Sequence, residues 1–155
     1  MKNRFSYVFL PLIALSAGGL SWLFSRQGLT QVYPLLQKSA LTPPNWVFPL
    51  VWSVLYVLMG IGLAMVLQKK SPGTQSAGAI WLLQLAANFL WSPLFFRWQL
   101  LGAALVDLTV LWLLVLAMTI VFARGSRIAA LLQIPYLLWL GFAGYLNYVV
   151  RQLNP

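Results

Sequence analysis

The sequence predicts an all-α membrane protein, a bundle of five transmembrane helices, on three observations. Of 155 residues, 61% are hydrophobic and only 7% are charged, whereas a water-soluble domain carries about 25% charged residues. The charges are confined to a few places. None falls between Arg4 and Arg26, Lys38 and Lys69, Lys70 and Arg97, or Arg127 and Arg151, and from Ser71 to Ala123 only Arg97 and Asp107 are charged. A spanning helix needs about 20 mainly apolar residues, and the apolar stretches reach that length five times.

The helices are expected near 5–25, 44–68, 77–97, 99–123 and 127–151, within one domain covering 1–155. The first follows Lys2 and Arg4 as a signal peptide would. It continues through Leu20, Trp22 and Phe24 without a small-residue cleavage site, so it is read as a retained span. Helices three and four are separated by a residue or two, which makes them antiparallel neighbours. The one long connection, 26–43, is the expected lid loop.

The second helix opens on "LTPPNWVFPLVWSVLYVLMG". Thr42 can cap a helix whose first positions are Pro43 and Pro44, where a missing N–H costs nothing. Pro49 would then lie in the helix interior, removing a bond to the Asn45 carbonyl and bending the helix. Phe48, Trp52 and Tyr56 recur every four residues and form one stripe, while Trp46 sits where indoles anchor at the interface. On the third helix Trp81, Gln84, Asn88, Trp91, Phe95 and Trp98 share a face. Two amides on a Trp-rich face point inward, since unpaired polar groups are costly in hydrocarbon. They either bond other helices or line a cavity.

The net charge of +9 does not imply nucleic-acid binding, because the cations sit at helix ends, where they face headgroups and set orientation. Lys2, Arg4, Lys69, Lys70, Arg124 and Arg127 on one side outnumber Arg26, Lys38, Arg97 and Arg151 on the other, which favours a cytoplasmic N-terminus. The chain has no cysteine and no histidine, and Asp107 is its one acidic side chain. Disulfides, zinc sites, paired-carboxylate hydrolysis and a Ser-His-Asp triad are thereby excluded. No metal and no obligatory cofactor are expected. The residue set favours binding over polar catalysis.

Depth, counted at about 1.5 Å per residue from the lid side, gathers the unusual residues. Trp52 lies at roughly 12 Å, Asn88 and Asp107 at roughly 12–14 Å, Trp91 at roughly 9 Å and Trp139 at roughly 18 Å. All fall in one half of the bilayer beneath the lid, which defines a candidate pocket. Asp107 costs roughly 2.5–3.5 kcal/mol at a helix centre and needs a partner. Asn88, at similar depth on the neighbouring helix, is the expected one, making Asp107 a structural polar residue.

Taken together and in order, "TPPNWVFPLVWSVLY", "QLAANFLWSPLFFR", "ALVDL" and "IPYLLWLGFAGYLNYVVR" resemble the TspO/MBR family, the tryptophan-rich sensory proteins and the mitochondrial translocator protein. The resemblance runs from about Tyr33 to Arg151. It implies a five-helix bundle binding porphyrins, haem, sterols and benzodiazepine-site drugs in a pocket closed by the first loop. By motif, Trp52, Asn88, Trp91 and Trp139 match family pocket residues and Tyr33 the lid tyrosine. Trp52 and Trp139 also match tryptophans linked to light-dependent porphyrin breakdown. The chain departs at two lid positions: Leu41 stands where the family has tryptophan before x-P-P, and Lys38-Ser39 where it has Lys-Pro.

The candidate ligand-binding set is therefore Tyr33, Phe48, Trp52, Gln84, Asn88, Trp91, Trp139 and Phe142. Leu146, Tyr148 and Arg151 fit a proposed cholesterol pattern, though Tyr and Arg at a helix end are also ordinary interface anchors. Expected partners are a porphyrin or haem, a sterol or lipid, the surrounding membrane lipids and a second copy in a homodimer. The expected function is a porphyrin-binding receptor or sensor. A light-dependent porphyrin-degrading protein and a tetrapyrrole or sterol transporter are the alternatives. No internal repeat or pair of broken helices, common in transporters, is visible. The motif style suggests a bacterial cell membrane, with an outer membrane as the alternative. Ala14-xxx-Gly18 and Gly60-xxx-Ala64 permit close helix packing.

Overall fold

The computed structural model describes residues 4–69 and 74–155, and its elements are helical throughout. Lys2 and Lys70, which entered the charge comparison, lie outside the described residues. The helices are α1 (Ser6–Gln31), α2 (Val47–Gln68), α3 (Thr74–Ser92), α4 (Leu101–Gly125), α5 (Arg127–Leu131) and α6 (Ile134–Leu153). α3 continues through a π-helical turn, Pro93–Arg97, and α5 with α6 makes the fifth span. Five segments are long and apolar enough to cross a membrane. α1 packs along α2, α3 along α4, and α4 against α5 and α6, while α2 touches α5 and closes the ring.

Lipid tails are as apolar as the side chains, so helices associate through close packing and internal polar bonds. Both small-residue spacings serve the α1–α2 seam. A Cβ on Gly60 would overlap the Pro11 backbone, and one on Gly18 would overlap the Tyr56 ring. At the lid end, Gly28 lies against the Phe96 carbonyl, where a Cβ has no room. Met59, Trp81, Leu111, Phe122, Tyr136 and Leu140 fill the core between α2, α3, α4 and α6.

Several boundaries differ from the sequence reading. α1 runs six residues beyond position 25, because nothing stops it until Pro34, whose missing N–H cannot bond the Thr30 carbonyl. The lid is correspondingly shorter. α2 begins at Val47, so Pro43 and Pro44 form the preceding turn, in which Val47 N–H donates to the Pro44 carbonyl at 3.0 Å. Thr42 caps nothing, and its hydroxyl is buried without a partner among the described residues. Pro49 is the third residue of α2, where its N–H would have no intrahelical partner, so it need not bend the helix.

The fifth span breaks at Leu132–Gln133, where Pro135 cannot bond the Leu131 carbonyl. The Gln133 amide bridges the break, donating to the Ala129 carbonyl (3.1 Å) and to Leu58 of α2 (3.4 Å). Pro93 similarly strips the Phe89 carbonyl of its helical donor. Ser21 of α1 takes its place, with Oγ to Phe89 O at 2.7 Å.

The turn into α4 turns on Gln99, at φ 54°. A non-glycine residue in this left-handed region costs about 1–2 kcal/mol, and glycine is favoured just past a helix end. Replacing Gln99 with Gly should raise the thermal midpoint in detergent, with a gain of about 1 kcal/mol. A lowered midpoint would show that the Gln99 side chain outweighs its backbone strain.

Candidate functional site

A cavity of about 620 Å³ opens between α1, the lid, α2 and the lid end of α3. That volume is in the range of small-molecule sites, about 300–1,000 Å³. The α2 stripe supplies one wall with Phe48, Trp52 and Tyr56, and α3 supplies Asn88, Trp91 and, from the π turn, Phe96. Four-residue spacing puts the α2 rings on one face, and the π turn swings Phe96 in towards Trp91 and Tyr33. Trp52 is the hub. It stacks on Tyr56 at 5.8 Å and 29°, lies 6.4 Å from Trp91 and meets Tyr136 edge-on at 6.1 Å. Each such pair contributes about 0.5–1.5 kcal/mol beyond area burial, so the wall is held by its own rings.

Behind the rings runs a buried polar chain. Tyr56 Oη donates to Asn88 Oδ1 at 2.6 Å, Asn88 Nδ2 to Tyr136 Oη at 2.6 Å, and Tyr136 Oη to Gln84 Oε1 at 2.9 Å. Gln84 Nε2 then reaches Met59 Sδ at 3.3 Å. Three helices, α2, α3 and α6, are thereby joined at one depth. Trp91 is fixed separately, its Nε1 donating to Asn147 Oδ1 (3.2 Å) while Asn147 Nδ2 donates to the Leu101 carbonyl (3.0 Å).

The lid is fastened at several points. Tyr33 packs edge-on against Phe96 at 5.3 Å. Burial pushes its phenol above the ordinary range, which keeps it protonated. Lys38 caps the Tyr33 ring at 4.6 Å and donates to the Tyr33 and Leu36 carbonyls at 2.8 and 3.0 Å. Gln37 and Asn154 form a reciprocal pair: Gln37 N–H donates to Asn154 Oδ1 at 3.0 Å and Asn154 Nδ2 to the Gln37 carbonyl at 2.9 Å.

Of the candidate residues, Tyr33, Phe48, Trp52, Asn88 and Trp91 line this cavity. Gln84 is fully buried behind it and acts through Tyr136. Trp139 and Phe142 line a second, shallower groove of about 590 Å³ between α2 and α6, with the exposed Leu50 and Leu138 at its rim. Trp139 touches the main cavity only through Phe48, at 5.8 Å. The expected Asp107–Asn88 pair does not form. Both ends of the Asn88 amide are taken by tyrosines, and Asp107 Oδ2 is buried without a partner among the described residues. Leu146 faces the core whereas Tyr148 is half exposed and Arg151 lies against Gly102, so these three do not share a face.

The sequence reading missed Tyr136 and Asn147. Their signal was present, since Tyr136, Leu140, Ala143 and Asn147 repeat the three-four alternation used to read α3, and all four are buried.

An aromatic, lidded cavity inside a five-span helical bundle defines a multi-pass membrane protein. Comparison with known proteins gives the family. The TspO/MBR family model matches residues 8–153, and the chain belongs to that family. It is 38% identical over 145 residues to the tryptophan-rich protein TspO of Chlorobaculum tepidum, covering 92% of each chain. It is 39% identical over 122 residues to the tryptophan-rich sensory protein of Cereibacter sphaeroides, covering 79% of this chain and 76% of the relative. The human translocator protein is 40% identical over 125 residues, covering 79% of this chain and 74% of the relative.

Two measurements check this geometry. Asn88→Leu should lower stability by about 2–4 kcal/mol, because two buried phenols lose their shared partner, and Tyr136→Phe in the same background should add less than it does alone. Strict additivity would mean that the two groups act independently. Asn154→Ala should speed hydrogen exchange at the Gln37 amide by about fivefold, from the loss of one hydrogen bond of about 1 kcal/mol. An unchanged rate would mean that the lid is held elsewhere.

Proposed function

We propose that this protein is a membrane receptor or sensor whose ligand is a flat, conjugated, apolar molecule of the porphyrin class. The observation that carries this reading is the ring wall of Trp52, Tyr56 and Trp91 along the cavity. Offset stacking rewards a planar π-system beyond the area it buries, and a sterol gains nothing from it. The names of two relatives, sensory protein and translocator protein, are consistent with a ligand-responsive membrane role. The lid supplies the response: a ligand that pushes against Tyr33 strains the Lys38 clasp and the Gln37–Asn154 pair together.

Should light-driven breakdown of the ligand accompany binding, Trp52 is the ring in direct reach, since Trp139 stands behind Phe48. The excited porphyrin would be the reactive species, and the protein would supply position.

The test is a titration of the purified protein in detergent with protoporphyrin IX, followed by tryptophan quenching in the dark and by porphyrin absorbance under illumination. Trp52→Ala should weaken binding by about tenfold, the loss of roughly 1.4 kcal/mol of stacking and burial. Leu82→Ala, on the exposed face of α3, should leave it unchanged. Non-saturable partitioning, the same in all three proteins, would sink the porphyrin reading.

A further inference from the structure

Polar groups are unevenly supplied around the cavity. On the α2 and α3 walls several are committed to the protein: Tyr56 Oη and both ends of the Asn88 amide to the buried chain, and Trp91 Nε1 to Asn147. On α1, Ser21 donates to Phe89 and Thr30 to the Arg26 carbonyl at 2.9 Å. Ser25 is the fully buried exception. It lines the cavity, is 1% exposed, and its Oγ is buried with no hydrogen-bond partner among the described residues.

A helical serine or threonine facing apolar surroundings commonly returns its proton to the carbonyl four residues earlier. Ser53, Thr109 and Thr119 do so here, at 2.7, 2.9 and 2.7 Å. A buried hydroxyl left without a partner is costly, and a group in that condition on a cavity wall is set to bond what enters the cavity.

We propose that Ser25 donates a hydrogen bond to an acceptor oxygen on the rim of the bound ligand, so that the cavity selects, among flat aromatic molecules, those bearing a carboxylate or carbonyl at one edge. The ring wall of α2 and α3 takes the π-face, and α1 reads the edge. Ser25 lies six residues before the lid-side end of α1, or roughly 9 Å along the helix. A ligand lying along the rings would thus keep its polar edge on the α1 side, beneath the lid.

This inference rests on the porphyrin reading above, and the test separates the two. Mesoporphyrin IX, with two carboxylates, is compared with etioporphyrin I, the same macrocycle with alkyl groups only, on the full chain and on Ser25→Ala. The wild type should prefer mesoporphyrin, and Ser25→Ala should lose about tenfold in its affinity, the loss of a charge-assisted bond. Etioporphyrin affinity should stay within about twofold, which also reports that the variant is folded. Equal losses for both ligands, or none for mesoporphyrin, would reduce Ser25 to packing and overturn the inference with the porphyrin reading intact. A wild type indifferent to the carboxylates would overturn it likewise. Saturable binding of neither ligand would bring down both.

Discussion

In hydrocarbon every backbone carbonyl needs an internal donor, and an unmet one costs several kcal/mol. Four prolines in the spans, Pro11, Pro49, Pro93 and Pro135, put this chain under that constraint repeatedly. Pro49 meets it by position, in the first turn of its helix. Pro93 opens the π turn, and the freed Phe89 carbonyl recruits Ser21, tying α1 to α3. Pro135 breaks the fifth span, and the Gln133 amide ties the break to α2. The same prolines that disrupt helices thus dictate which helices are bonded together, and the cavity occupies the space this leaves between α1, α2 and the lid end of α3.

Much of this was legible in the sequence, and the misses have a common cause. Span number follows from composition and charge spacing alone. The α2 stripe follows from a four-residue period, because helical pitch fixes which rings share a face. Depth along the membrane, however, is one coordinate out of three. Asp107 and Asn88 share a depth, yet rotation about the helix axes gives Asn88 to Tyr56 and Tyr136 instead. Trp139 was placed in the right half of the bundle but on the far side of Phe48 for the same reason. The break before Pro135 was readable from Pro135 itself. The extension of α1 through Gly28 was not, because that glycine serves a close approach to Phe96 rather than a turn.

The cavity is organised with almost no charge. With one acidic side chain and no histidine, the protein cannot organise a pocket through ion pairs. It uses a tyrosine–asparagine–tyrosine clasp as the scaffold behind the ring wall. The clasp satisfies its own polar atoms and stiffens the wall. The lid cation is handled similarly. Lys38 is turned onto two carbonyls and a ring face, so it fastens the loop and does not stand free at the mouth.

The tryptophans differ in one respect that ring geometry does not describe. Trp81, Trp91 and Trp112 each donate their indole N–H to an oxygen, at 3.2 Å in every case. The Trp139 N–H is buried and donates to nothing among the described residues. Indole N–H stretching frequency falls as the hydrogen bond strengthens. The protein therefore carries a native vibrational label on each side of Phe48: a red-shifted one at Trp91, facing the cavity, and a near-free one at Trp139, facing the outer groove.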